Sequence, residues 1–316
     1  MREICFSELE EGVVCPRCHS LLDMTSTTVW HCTGSDCRQS YPLVDGIPIL
    51  INEENSVFRI EDLRAHKETY FSKCKTKTRY LPRPTLPEVK VSRRNFIYFQ
   101  DLLLNSCEAP RVLVLGASII GAGLDAILFS KKIRYVETDI SFGPRTRMIA
   151  DAHSIPFIDA SFDGVIAQAV LEHVADPYQC VNEIYRVLKS QGKIYADTPF
   201  LQQVHGGAYD FTRFTYRGHR RLFRHFKELK SGASLGPGAA LAWAWQHFMD
   251  NLTHVPPFRK ILNAIAKSTS FWIKYLDPYL LTRPGSYDAA SSFYFIGEKS
   301  DTVLSDYDLV HHYPVD

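Results

Sequence analysis

The segment Arg111–Gly123, RVLVLGASIIGAG, constrains this chain more than any other. Its apolar run, Val112 to Leu115, stops at Gly116, and Gly121 and Gly123 follow. The pattern predicts a buried strand, a tight turn and a helix start. Glycine is the residue that takes positive φ or lets backbone pass close to a ligand. Asp139 ends a second apolar run in VETDIS, Asp151 ends a third in IADAHSIPF, and a fourth strand within SFDGVIAQAV ends near Gln168. A glycine turn followed by polar tips on successive strands describes a nucleoside-binding rim on a doubly wound α/β sheet.

Three nucleotide-binding turns compete for this segment. A P-loop needs Lys and then Ser or Thr after its second glycine, whereas Ala122 and Gly123 follow Gly121. A dinucleotide turn needs GxGxxG and an acid about 20 residues on. Asp139 supplies the acid, but Gly116-Ala117-Ser118 breaks the glycine pattern and no Arg or Lys in the turn awaits a pyrophosphate. The third candidate ligand, S-adenosylmethionine, carries no phosphate.

The downstream segments DAHSIPFIDASFDGVIAQAVLEHVADP and EIYRVLKSQGKIYADTP carry a resemblance. From about Val112 to Arg213 the chain resembles the class I S-adenosylmethionine-dependent methyltransferases, with five motifs in order; its loop GASIIGAG is longer than that family's GxGxG. The resemblance implies a Rossmann-like, doubly wound, seven-stranded sheet. It implies that Gly116 and Ala117 lie against the methionine part of the cofactor, with Ser118, Gly121 and Gly123 completing the loop. Asp139, beside Ile140, would accept hydrogen bonds from the ribose hydroxyls. Asp151 would bond the adenine amino group next to the backbone of Ala152, and Gln168 would face the methyl group.

Length and composition bound the rest. At 316 residues, one large domain plus a small one is the natural expectation. A net charge of +1 supplies no global field to recruit nucleic acid or an anionic membrane. The start, MREICFSELEEG, does not read as a signal peptide, and the longest nonpolar run, Ala239 to Trp245, is too short to span a bilayer. Eight cysteines in such a chain point to metal or free thiols in a reducing cytoplasm, the expected location.

Cys15 and Cys18 form a CxxC turn, and Cys32 and Cys37 follow in HCTGSDC. Two converging pairs suit a tetrahedral zinc ion, and so short a segment draws much of its folding energy from the metal. His19 and His31 flank the cysteines as alternative ligands. The following SYPLVDGIPILI resembles the small zinc-ribbon proteins that activate tRNA and protein methyltransferases, which implies a docking or bracing module over residues 1–55. A helical linker is expected over 56–92, with a helix from Arg59 to Lys73, a basic run (Lys73, Lys75, Lys77, Arg79) and the proline-broken LPRPTLPEV. The catalytic domain then covers 93–316, opening with a helix from Arg93 to Asn105.

The acceptor side is expected in DTPFLQQVHGGAYDFTRFT, after the fifth strand. His205 is the candidate general base, with Tyr209 and Asp210 as further catalytic candidates. The local alternative pairs Asp210 with Arg213 and has it cap a helix beginning near Thr215. Glu172 and His173 in LEHV, with the later His205, match part of an ExxEH set found in some metal-dependent O-methyltransferases, but Ala169 stands in the first glutamate's place. Residues 239–284 carry an apolar helical stripe that reads as core packing, as a lid or as a homodimer surface. SSFYFIGEK fits a last, antiparallel strand. The expected activity is O- or N-methylation of a small biosynthetic acceptor such as a sugar or secondary metabolite. The rival readings are an RNA methyltransferase with a zinc knuckle and a non-catalytic cofactor-binding partner protein; the charge balance disfavours nucleic acid.

Overall fold

The computed structural model describes residues 11–67 and 87–311. Their strands join in one mixed sheet. Four come from the N-terminal segment: β1 (Leu22–Asp23), β2 (Val29–Cys32), β3 (Ser40–Val44) and β4 (Ile47–Leu50). Seven follow: β5 (Arg111–Leu115), β6 (Arg134–Asp139), β7 (Met148–Ala150), β8 (Phe162–Gln168), β9 (Leu188–Pro199), β10 (Phe226–Leu235) and β11 (Ser292–Lys299). The spatial order is β1-β2-β3-β4-β7-β6-β5-β8-β9-β11-β10. β5 pairs in parallel with β6 and β8, β6 with β7 and β8 with β9, whereas β11 runs antiparallel to both β9 and β10.

The expected sheet of seven strands is therefore corrected to eleven. The cause is one junction. Ile49 and Leu50 of β4 pair in parallel with Ile149 and Ala150 of β7, so the N-terminal hairpins extend the sheet. The apolar core is shared as well: Val13, Cys15, Trp30, Tyr41 and Leu50 belong to the same buried cluster as Leu113, Phe157, Val165 and Ile184. Backbone bonds from Val14 N to Pro156 O and from Ile158 N to Gly12 O reinforce the contact.

Two helices cover the faces of the parallel strands. Pro87–Ser106 lays Phe96, Phe99 and Leu103 on Val112, Val114, Ile166 and Tyr195. Pro177–Val187 buries Cys180, Val181, Ile184 and Val187 on the other face. Its Asp176 side chain accepts from Gln179 N, the bond that starts the helix. Each fully buried apolar side chain contributes roughly 1.5–3 kcal/mol.

Three helices differ from expectation. The glycine turn does not open directly into a helix: residues 116–124 form successive turns, and only Asp125–Leu128 is helical. Gly121 and Gly123 each disfavour a helix by about 1 kcal/mol relative to alanine. The expected helix from Arg59 to Lys73 is confined to Ile60–Arg64 among the described residues; the basic run from Lys73 to Arg79 lies outside them. The helix expected from Arg93 begins instead at Pro87, so residues 92 and 93 fall within it.

The β6–β7 crossover, residues 140–147, contains no helix, although parallel strands ordinarily need a longer connection. Phe58, Ile60 and Leu63 pack there on Ile140, Phe142, Ile49 and Ile149. The N-terminal segment thus supplies the cover that a crossover helix would give. No helix among the described residues is long and apolar enough to cross a membrane.

Candidate functional site

The carboxyl ends of β5, β6, β7, β8 and β9 form one rim, since these strands are adjacent and parallel. Gly116 turns the chain out of β5 with φ of 73°, a region an L side chain rarely occupies. Ala117 N donates to Thr138 O, holding the loop against β6. Asp139 is buried at the tip of β6. Its Oδ2 accepts from Ser118 N and its Oδ1 from Ser141 N, each at 2.8 Å. Burial pushes its pKa up and these amides oppose the rise. The Ser118 hydroxyl and the Ile140 amide also favour the charged carboxylate.

Asp151, the residue expected at the adenine amino group, follows β7 at its tip. It is buried, accepting from Ser56 Oγ and His153 N and lying 2.6 Å from His153 Nδ1. Burial alone would raise its pKa, but the bonds from His153 and Ser56 outweigh it and hold the carboxyl below its ordinary range. His153 Nε2 accepts from Asp176 N, and Asn55 Nδ2 donates to Ser154 Oγ at 2.8 Å. Asp151 therefore ties the N-terminal segment to the rim. No local pattern pairs these residues, because Ser56 and Asp151 lie 95 positions apart.

Gln168 turns back onto the glycine loop, where its Nε2 donates to Ala122 O at 3.0 Å. Its Oε1 is buried with no hydrogen-bond partner among the described residues. Asp197, at the end of β9, escaped the sequence reading. It is buried, bonded to Ser234 Oγ, and pushed up to about 8 by burial.

The acceptor-side residues come together around the loop after β9. Asp210 accepts from His205 N, Gly206 N and both terminal nitrogens of Arg213. Burial opposes its ionisation, but Arg213 and the two amides hold its carboxyl far below the usual range. Asp210 thus clamps this loop through its expected pairing with Arg213, but the helix that follows is capped by the Thr215 side chain, not by Asp210. The Tyr209 ring stacks on Phe58 with centroids 5.2 Å apart, and its carbonyl lies 2.8 Å from His173 Nδ1. Gly206 has no room for a side chain: a Cβ there would stand 2.5 Å from the His173 ring.

Three side chains converge on one point. Glu172 Oε1 lies 3.8 Å from Nε2 of both His173 and His205. Glu172 is fully buried and burial pushes it up to about 8; burial lowers both histidines, which favours neutral imidazoles. Next to this loop, a cavity of about 500 Å³ is lined by Phe200, Leu201, Gln203, Pro237, Ala240 and Leu241.

The four cysteines also meet. Their sulfurs lie within 4.8 Å of one another, with Cys15–Cys37 at 3.7 Å and Cys18–Cys32 at 3.4 Å. Thiolates at 2.3 Å around a tetrahedral zinc stand about 3.8 Å apart, so the donor set fits that ion. His31 Nδ1 is instead 2.9 Å from Ser40 Oγ, and neither His19 nor His31 belongs to the cluster.

Comparison with known proteins adds a family match over part of the chain. The family described as "Methyltransferase domain" matches residues 120–196. No curated protein matches. Among solved structures, the chain is similar to the [4+2]-cyclase SpnF at 15% identity, covering 64% of this chain and 81% of that one, with a TM-score of 0.40. It is similar to geranyl diphosphate C-methyltransferase from Streptomyces coelicolor at 10% identity (65% and 75% covered, TM-score 0.41). It is similar to Haemonchus contortus phosphoethanolamine N-methyltransferase 2 at 15% identity, covering 66% of this chain and 53% of that one, with a TM-score of 0.42.

Proposed function

We propose that this chain is an S-adenosylmethionine-dependent methyltransferase that methylates oxygen or nitrogen of a small biosynthetic acceptor, with structural zinc in its N-terminal ribbon. The observation that carries the reading is the buried Asp139 at the tip of β6, inside the methyltransferase-domain match over residues 120–196 and bonded to Ser118 of the glycine turn that precedes the match. A carboxylate at this tip can accept from two neighbouring hydroxyls, which fits a ribose, and no cation of the turn awaits a phosphate. Gly116, Ala117 and Ser118, with Gly121 and Gly123, would hold the rest of the donor, alongside Ile140 and Ala152. When bound, the donor supplies a methyl group on an already activated sulfonium.

The chain's own residues then have three tasks. Asp139 and the loop fix the donor's position, which counts heavily in a displacement that needs alignment more than acid–base power. The open, largely apolar groove beside Phe200 and Leu241 is where the acceptor would lie. His205 is the candidate base: its Nδ1 lies 3.3 Å from Gln203 O and burial lowers its pKa, and with no ion bound its Nε2 would take a proton from an acceptor hydroxyl or ammonium.

Calorimetry with S-adenosylhomocysteine tests the reading. The wild type should bind it. Asp139→Ala should bind at least 30-fold more weakly, the equivalent of about 2 kcal/mol for two lost charge-assisted bonds. Absence of binding to the wild-type chain would sink the proposal.

A further inference from the structure

We infer that Glu172, His173 and His205 form a divalent-cation site, separate from the thiol cluster. The argument begins with Glu172. Both its carboxylate oxygens are buried with no hydrogen-bond partner among the described residues, while its carbonyl accepts from Phe211 N and Thr212 N. The nearby guanidinium of Arg213 is spent on Asp210 and on the carbonyls of Gln202, Gln203 and Thr212. A buried carboxylate without donors is costly unless paired or bound to a metal.

The groups that do face it are two imidazoles, each 3.8 Å away through Nε2. Each carries its other nitrogen beside a main-chain carbonyl, His173 on Tyr209 and His205 on Gln203. The Tyr209 carbonyl holds the His173 proton on Nδ1 and presents that ring's Nε2 to an ion; His205 Nδ1 stands between the Gln203 carbonyl at 3.3 Å and Arg213 Nη2 at 3.5 Å, with its Nε2 turned to Glu172. The rings stand nearly perpendicular with centroids 5.0 Å apart, so both nitrogens reach one point. The three ligand atoms lie within 4.8 Å of one another. Ligands at about 2.1 Å from a common ion stand roughly 3.0–3.5 Å apart, so each of the two Glu172–histidine separations of 3.8 Å has only about 0.3–0.8 Å to close. Two imidazoles and a carboxylate on one side suit Mn²⁺, Fe²⁺, Co²⁺ or Zn²⁺ and leave positions open. Those positions suit oxygen ligands, and an acceptor with two adjacent oxygens, such as a vicinal diol or catechol, can take both. An ion here occupies the Nε2 lone pair of His205 and itself lowers the acceptor's proton affinity in place of the imidazole.

The inference goes beyond the donor reading and does not rest on it, and its test needs no turnover. The zinc content of the purified full-length chain is measured first; Mn²⁺ is then titrated in and free ion followed by electron paramagnetic resonance. The wild type should take up one equivalent of Mn²⁺ and melt at a higher temperature with it. Glu172→Gln should lose that uptake and the thermal gain while remaining at least as stable as wild type without ion, because it removes an unpaired buried carboxylate. His205→Ala should bind at least 10-fold more weakly. No Mn²⁺ uptake by the wild type, or uptake undiminished in both variants, overturns the inference. Calorimetry with S-adenosylhomocysteine on the same preparation reports the donor reading separately.

Discussion

His219 sits in the helix Tyr216–Leu222 with its ring against Phe214 and Phe223. It is buried, and its Nε2 has no hydrogen-bond partner among the described residues. Burial, with Arg220 alongside, drops its pKa from 6.5 to about 3. The sign follows from proton counting: between those values the unfolded chain binds a proton that the folded chain refuses. The contribution is fully present above about pH 6.5 and is lost as pH falls toward 3, by up to about 1.4 kcal/mol per pH unit. Urea midpoints at pH 7 and pH 5 should therefore differ less for His219→Phe than for wild type; an equal difference would contradict the assignment. Single residues were unevenly legible in the sequence. Asp139 was found because strand-end acids follow local periodicity. The bonds that engage Asp151 were not, because Ser56 and Asp151 meet only through the fold.

At the scale of elements, periodicity located the parallel strands and the antiparallel β11, each of which has a dense apolar core face. It overstated the helix after the glycine turn, where two glycines weaken the local propensity. It also could not show that β4 would pair with β7, since nothing local encodes a parallel partner about 100 residues away in sequence. The short span Asn55–Phe58 shows what that pairing brings to the rim. It carries Ser56 to Asp151 and lays Phe58 flat on Tyr209, with ring planes 9° apart. Stacked aromatic pairs contribute about 0.5–1.5 kcal/mol beyond their buried area. Phe58→Ala should thus lower the melting temperature by roughly 2–6 °C, read by scanning calorimetry. An unchanged melting curve would mean the stack contributes nothing.

For the whole molecule, the shared core makes a strong demand. Cys15, Trp30 and Tyr41 are buried in the same cluster as the central strands, so the ribbon and the sheet should unfold together. Structural zinc in small modules contributes on the order of 10 kcal/mol, comparable to the entire stability of a domain. Chelation, or Cys15→Ser, should lower a single cooperative transition seen alike by far-ultraviolet circular dichroism and by tryptophan fluorescence. A separate early transition, with the main one unmoved, would show instead that the two parts are energetically independent. The sequence had suggested two modules in series; the structure interleaves them, and the reason is the open edge of β7.

That edge has a practical consequence. A molecule clipped after residue 55 would expose the main-chain amides and carbonyls of Met148–Ala150 that β4 now engages. Such a naked flank invites self-association, and within the intact chain the tether keeps the matching strand at a high local concentration. Cutting the polypeptide at that point would therefore trade a one-to-one arrangement, fixed at synthesis, for a competition that other exposed strands can win.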